Sequence, residues 1–438
     1  MEELLGPEAL VLGKITMAGK KLFGKRNKLL VCILAGTMLL LCGCKAKLPD
    51  TYVEGEDSQY FQRSGLLKNP SVQQTVEGCY VLHGEYVYFY DKASGQYTPL
   101  CNKPDCLHDR ETDPDKKADC NAYLDDMWSA EYPEVCLQLS EPYLYAFYSS
   151  DSFGFTLCRL GKDGSLKEEI WTTQEPVSEF MVHRGYAYLS VGGYIPSEEG
   201  LKADFQILEM DLTKTHNIQS EEIFSYQTER LASLGDIAGY GNYIYFELSE
   251  GDEHHLYCYS TENEELKEIE VEALSAVGQY VNNITFFRDK LMLIGYKIDM
   301  EDRVEELYHP TNIYMAELDG SNPQMVLEDI PQGYYIGSDG KYFYLNNAFN
   351  VKFGKSELDS EKTFWVYDEN MKLVDTFLVP DTADGLFDPP LGNQDTQYLH
   401  FQDEEKWGLQ IWDKSLIGTY HGSAYQQEEI VYKVFEEQ

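Results

Sequence analysis

The chain has 438 residues, 43 % of them hydrophobic and 13 % aromatic, with 75 acidic side chains against 35 Lys and Arg and a formal net charge of −40. That is ample apolar material for a core beyond the usual ~100–200 residues of one domain, which allows two domains or one large repeat architecture. So acidic a surface is repelled by nucleic acid and by anionic lipid headgroups, which excludes nucleic acid as a partner and rules out a basic patch as the means of membrane attachment.

In chain order, the first informative segment is a basic flank, Lys20, Lys21, Lys25, Arg26 and Lys28, followed by the apolar run LLVCILAGTMLLL at residues 29–41. A charged stretch before a short apolar run is the pattern of a secretory signal peptide. The run falls short of the ~20 apolar residues that a membrane span needs. It ends in Leu41-Cys42-Gly43-Cys44, which resembles the bacterial lipobox. That resemblance implies a diacylglycerol on Cys44 and cleavage that leaves Cys44 as the new N-terminus. Residues 1–43 are therefore expected to be a lipoprotein signal peptide, with Met17 the better start because residues 1–16 are partly acidic; an uncleaved anchor helix is the alternative. Two acyl chains hold a protein to a bilayer stably where one does not. The expected location is the outer face of the bacterial cytoplasmic membrane, at the cell surface.

Residues 44–71 show no apolar periodicity and are rich in turn formers, which predicts a flexible tether. From residue 72 to the end, short alternating apolar runs are separated by Gly, Asp, Asn and Ser. One unit recurs seven times: GEYVY, EPYLY, RGYAY, GNYIY, DKLML, GKYFY and EKWGL, with third residues Tyr86, Tyr143, Tyr186, Tyr243, Leu291, Tyr342 and Trp407. Most units are preceded by an apolar run and followed by a strand pair joined through an Asp- or Gly-bearing turn, as at Asp163-Gly164 and Asp319-Gly320; such dipeptides are strong hairpin signals. Four strands per repeat of roughly 50 residues is the anatomy of a propeller blade. The predicted fold is an all-β propeller over residues 72–438 with seven four-stranded blades, six to eight being allowed, and a pair of β-sandwiches as the alternative. The tyrosines are expected to pack between blades.

The mature chain has seven cysteines besides Cys44. Cys79, Cys136, Cys158 and Cys258 lie within apolar runs, where a buried free thiol is the ordinary state. Cys101, Cys106 and Cys120 instead fall in or beside a polar loop that also contains His108. Three thiolates and an imidazole complete a tetrahedral set for a structural zinc or iron ion. The spacing matches no common zinc-finger register, and Leu107 breaks a haem-attachment reading. In an oxidising compartment a disulfide from Cys106 to Cys101 or Cys120 is the competing expectation. Asp109, Asp113, Asp115 and Asp119 crowd the same loop without the EF-hand order, which favours a solvated acidic face over calcium. His254-His255 is expected on a solvated hairpin.

The stretch TPLCNKPDCLHD, followed by CNAY, resembles a signature of propeller-like lipoproteins from anaerobic gut Clostridia. The resemblance spans the lipobox, the first repeat and, more loosely, the later repeats. It implies a surface location and a propeller, and assigns no activity. No nucleophile elbow, zinc-protease helix or phosphate-binding loop is present, so no catalytic residue is singled out. The expected role is a lipid-anchored binding or scaffold module for a glycan, a peptide or an envelope protein. An exported polysaccharide hydrolase or lyase and an envelope sensor are the alternatives, the former by fold analogy alone.

Overall fold

The computed structural model describes residues 50–53, 57, 72–124, 135–149, 154–197, 200–251, 253–270, 280–296, 311–330, 335–346, 363–378, 396–402, 406–419 and 426–434. The expected signal peptide and Cys44 lie outside these residues.

The described chain forms seven antiparallel sheets. Blade 1 contains β1 (Val72–Gln74), β2 (Gly78–His83), β3 (Tyr86–Asp91) and β4 (Gln96–Pro99). Blade 2 contains β5 (Val135–Ser140), β6 (Tyr143–Ser149), β7 (Phe155–Gly161) and β8 (Lys167–Thr173). Blade 3 contains β9 (Val177–His183), β10 (Tyr186–Pro196), β11 (Leu201–Asp211) and β12 (Ser220–Thr228), and blade 4 contains β13 (Ala232–Tyr240), β14 (Tyr243–Glu250), β15 (Glu253–Ser260) and β16 (Glu265–Ile269). Blade 5 contains β17 (Tyr280–Phe287), β18 (Lys290–Tyr296), β19 (Thr311–Ala316) and β20 (Gln324–Ile330). Blade 6 contains β21 (Tyr335–Ser338), β22 (Phe343–Asn346), β23 (Thr363–Tyr367) and β24 (Leu373–Leu378), and blade 7 contains β25 (Thr396–Gln402), β26 (Lys406–Asp413) and β27 (Gln426–Val434). Within each sheet the strands pair in chain order. First strands adjoin in the order β1, β5, β9, β13, β17 and β21, β1 also touches β25, and Lys414 after β26 bonds Asp339 after β21, so the sheets form a closed ring. The fold is a β-propeller of six four-stranded sheets and one that has three strands among the described residues.

Burial explains the sequence texture. A second strand such as β14 is covered on both faces by adjacent blades, so YIYFEL is buried almost throughout. An outer strand such as β16, ELKEI, is exposed at nearly every position. The paired tyrosines of the repeat stand two residues apart on one face of a pleated strand. Their ring centroids accordingly lie 6.5 Å apart for Tyr86 and Tyr88, 6.4 Å for Tyr143 and Tyr145, and 6.5 Å for Tyr243 and Tyr245.

One repeat is displaced. In blades 2–5 the Tyr or Leu unit follows the turn from the first to the second strand, whereas GEYVY of blade 1 follows the turn from β2 to β3. The residue in blade 1 that matches Tyr245 is Tyr80, the third residue of β2. Tyr80 donates to the Lys162 carbonyl at 3.2 Å, and Tyr245 donates to the Leu318 carbonyl at 3.0 Å. Each thereby caps the outer turn of the following blade. Arg159 of β7 does the same for blade 3, reaching the carbonyls of Lys214 and Thr215 at 3.3 and 3.2 Å.

The first strands meet around the axis with one edge unpaired, and an unpaired edge leaves backbone amides and carbonyls to be satisfied. Side chains of the preceding blade supply the partners. Gln73 of β1 accepts from Leu139 N of β5 at 3.0 Å. Gln138 of β5 accepts from Val182 N and donates to the Phe180 carbonyl at 3.2 Å in β9. Glu179 of β9 accepts from Asp236 N and Ile237 N of β13 at 2.8 and 2.7 Å. Hydrophobic clusters fill the interfaces between these blades, and Leu409 of blade 7 packs into the cluster of blades 1 and 2. Between blades 6 and 7, buried Lys414 donates to buried Asp339 at 2.8 Å, and Asp339 also accepts from the Tyr344 hydroxyl at 2.7 Å.

Part of the expected tether is docked on the propeller. Asp57 is 6 % exposed and forms an ion pair with Arg184, whose guanidinium also donates to the Thr51 carbonyl at 3.0 Å. Asn242 N donates to the Asp50 carbonyl at 3.3 Å, and the Asn242 side chain to the Asp50 carboxylate at 2.8 Å. Gly241 has φ +57, and a Cβ there would meet the Asp50 carbonyl oxygen at 1.7 Å. Only glycine admits this approach. Apolar periodicity could not reveal the docking, because ionic and backbone hydrogen bonds hold the segment.

Lys414→Met is expected to lower unfolding stability by about 3 kcal/mol, the low end for breaking a buried ion pair, because Tyr344 and two backbone amides still serve Asp339. Urea titration measures it, and an unchanged midpoint would show that the pair contributes nothing to closing the ring.

Candidate metal centre

The loop after blade 1 leaves and rejoins the sheet at one place. Leu100 N donates to the Val87 carbonyl at 2.8 Å as the chain departs. On its return, Val87 N donates to the Ala122 carbonyl at 2.9 Å, Leu124 N donates to the Glu85 carbonyl at 2.9 Å, and Tyr123 bridges to Tyr86. Both ends of the excursion are thus pinned to the start of β3, which restricts how far the loop can spread.

Within the loop, a turn brings Cys106 N to the Lys103 carbonyl at 3.3 Å. His108 opens a 3-10 turn, His108–Arg110, with a left-handed φ of 54°. That backbone turns the imidazole toward the cysteines, and the Tyr86 hydroxyl holds it by donating to the His108 carbonyl at 3.2 Å. Asp113 caps α1 (Pro114–Ala118) by accepting from Asp115 N at 3.2 Å, with Pro114 in the first turn, an ordinary helix start. The helix delivers Cys120, whose N–H donates to the Lys117 carbonyl at 2.9 Å.

All four sequence-predicted ligands converge. The Sγ atoms of Cys101, Cys106 and Cys120 and a ring nitrogen of His108 lie within 4.8 Å of one another, and Cys120 Sγ is 3.7 Å from His108 Nδ1. Zinc bonds of about 2.3 Å to sulfur and 2.0 Å to nitrogen require tetrahedral edges of about 3.5–3.8 Å, so the set fits such an ion with small movements. The electrostatics suit it as well. Burial raises the Cys101 thiol, but the N–H groups of Lys103 and Asn121 and the neighbouring thiols outweigh it and leave the pKa lowered. Burial pushes Cys120 up to about 12. Burial also lowers His108, helped by Arg110 and opposed by Asp109, which keeps the imidazole neutral and able to coordinate.

One contact of the site escaped the sequence reading. Gly164, in the turn between β7 and β8, accepts from Asn102 N at 3.2 Å and from Asn121 Nδ2 at 2.7 Å. Its φ is +73, and a Cβ there would lie 2.7 Å from Cys101 N. The Asp-Gly dipeptide marked a hairpin, yet nothing local showed that the hairpin abuts the cysteine loop. The acidic residues around the site serve nearby bonds: Asp113 is a cap, and Asp109 accepts from the Tyr88 hydroxyl at 3.3 Å. Cys79, Cys136 and Cys158 are buried core thiols, and Cys258 is half-buried. The histidine pair differs from the solvated hairpin expected. His254 pairs with Glu247, whose burial raises its pKa to about 7, and His255 pairs with Glu268 at 2.7 Å.

The ring of blades defines a propeller protein. No protein-family model and no curated protein matches the chain. Among solved structures, TolB from Acinetobacter baumannii aligns over 78 % of this chain and 76 % of its own at 13 % identity and a TM-score of 0.37. The β-propeller domain of the Trilobed protease from Pyrococcus furiosus aligns over 62 % and 77 % at 14 % identity and a TM-score of 0.39. The protein lmo1340 from Listeria monocytogenes EGD-e aligns over 63 % and 77 % at 12 % identity and a TM-score of 0.38. The propeller assignment stands on the seven sheets of this chain.

In metal-free, reduced protein near neutral pH, alkylation is expected to modify Cys101 before Cys120, since the thiolate is the reacting form. Peptide mass mapping follows the order, and the reverse order would contradict the electrostatics described for the loop. Gly164→Ala should destabilise the protein by more than ~1 kcal/mol, the penalty of a left-handed alanine, because the added methyl also strikes Cys101. Thermal denaturation reads this, and wild-type stability would refute the close approach.

Proposed function

We propose that the chain is a lipid-anchored, extracytoplasmic β-propeller serving as a binding or scaffold module on the outer face of the bacterial cytoplasmic membrane, with one structural zinc or iron ion held by Cys101, Cys106, His108 and Cys120. The observation that carries the metal is the convergence of four ligand atoms within 4.8 Å. A disulfide would employ two of the three sulfurs and leave the third and the imidazole aimed at it. Four protein ligands close the coordination sphere, which suits a structural ion rather than one that activates a substrate. The anchor reading is supported by the basic flank, the short apolar run and the ending Leu41-Cys42-Gly43-Cys44. The propeller supports a binding role, because loops on a rigid scaffold are where recognition usually resides. The partner chemistry is a glycan, a peptide or an envelope protein.

Elemental analysis of anaerobically purified protein is expected to find about one equivalent of zinc or iron, as a four-ligand site takes, and Cys106→Ser should lose it. A metal-free protein with Cys101 oxidised would decide for the disulfide. Cys44→Ala should shift the protein from the membrane fraction to the soluble fraction, and retention of that variant would end the lipoprotein reading.

A further inference from the structure

The N-terminal segment is fixed at one end of the ring. Neighbouring strands in each sheet run antiparallel, so turns from first to second strand and from third to fourth strand emerge together, and turns from second to third strand emerge at the opposite end. Residues 50–53 and Asp57 dock on two turns of the first kind: Arg184 lies between β9 and β10, and Gly241 and Asn242 lie between β13 and β14.

The attachment is extensive. Asp57 is buried against Arg184, accepts from Val53 N at 2.6 Å and lies 3.8 Å from fully buried His183. Tyr52 packs on Tyr240 with ring centroids 6.4 Å apart. Residues 45–49 alone separate this docked segment from Cys44, and an extended chain covers at most ~3.6 Å per residue.

We infer that the end of the propeller carrying these turns faces the lipid bilayer, and that the turns from second to third strand point away from it. The inference rests on acylation at Cys44. Charge does not favour this end: on its described turns, cations such as Lys92, Lys214 and Lys372 are outnumbered by acids such as Glu77, Asp163, Glu262 and Asp319, so the orientation rests on the short connection to Cys44. Lys372 is exposed in the turn from β23 to β24. The opposite end presents the long hairpin of β10 and β11, where Ile195 and Leu201 are 45 % and 61 % exposed.

The test uses the full lipoprotein extracted from membranes, with acylation verified by mass spectrometry, in phosphatidylglycerol-containing liposomes that carry a headgroup-labelled energy acceptor. A donor fluorophore is introduced through a non-natural amino acid at Lys372 or at Leu201. Transfer is expected to be greater from position 372 than from position 201. Arg184→Ala, which frees the docked segment, and a Gly/Ser insertion after Pro49, which leaves the folded ring untouched, should each diminish the difference. Equal or reversed transfer from an acylated protein overturns the orientation alone. A difference that survives the insertion unchanged upholds the orientation and overturns only the short connection as its cause. An unacylated protein overturns the anchoring and the orientation together.

Discussion

The structure depends on how the open edges of its innermost strands are satisfied. A ring of sheets leaves one edge of each first strand facing the axis, where no further strand can pair. Here a polar side chain of the preceding blade fills the gap. Gln73 serves β5, Gln138 serves β9 and Glu179 serves β13, each through backbone groups of the next strand. In all three described cases the bond runs from one blade to the next in chain order. A buried amide or carboxylate left without such a partner would cost more than its bond contributes, so these residues fix both the spacing and the registry of the blades.

A second tier works at the outer rim. Tyr80, Arg159 and Tyr245 cap carbonyls on the following blade's outer turn. The cysteine loop extends the same tier, since Asn102 and Asn121 both bind Gly164. A metal ion would therefore bear on more than its own loop. Drawing the three sulfurs and the imidazole together stiffens the platform against which the blade 2 hairpin rests.

Much of this was legible in the residues. The Tyr-bearing repeat marked the blades, and sorting cysteines by polar or apolar surroundings picked out all four converging ligands. The displaced unit of blade 1 was not legible: GEYVY resembles the other repeats more closely than GCYVL does, although Tyr80 of the latter makes the equivalent contact. The edge-satisfying residues left a faint trace, a polar side chain inside an apolar run, as in VCLQLS and VSEFMV. Nothing local distinguishes such a residue from one that faces water. The docked Asp57 lies 127 residues from its partner Arg184, and Asn121 lies 43 residues from Gly164.

The long hairpin of blade 3 shows what this arrangement leaves open. β10 and β11 are eleven residues each and pair along their whole length, extending from the end of the ring opposite the capped turns. The described caps from one blade to the next grip turns of the other kind. Length and composition can therefore change at the tip of this hairpin without disturbing those caps. Other second-to-third turns are not so free: in blade 1 the returning cysteine loop donates to the Glu85 carbonyl, and in blade 4 Gly251 N donates to the Leu231 carbonyl, so the room for variation differs from blade to blade.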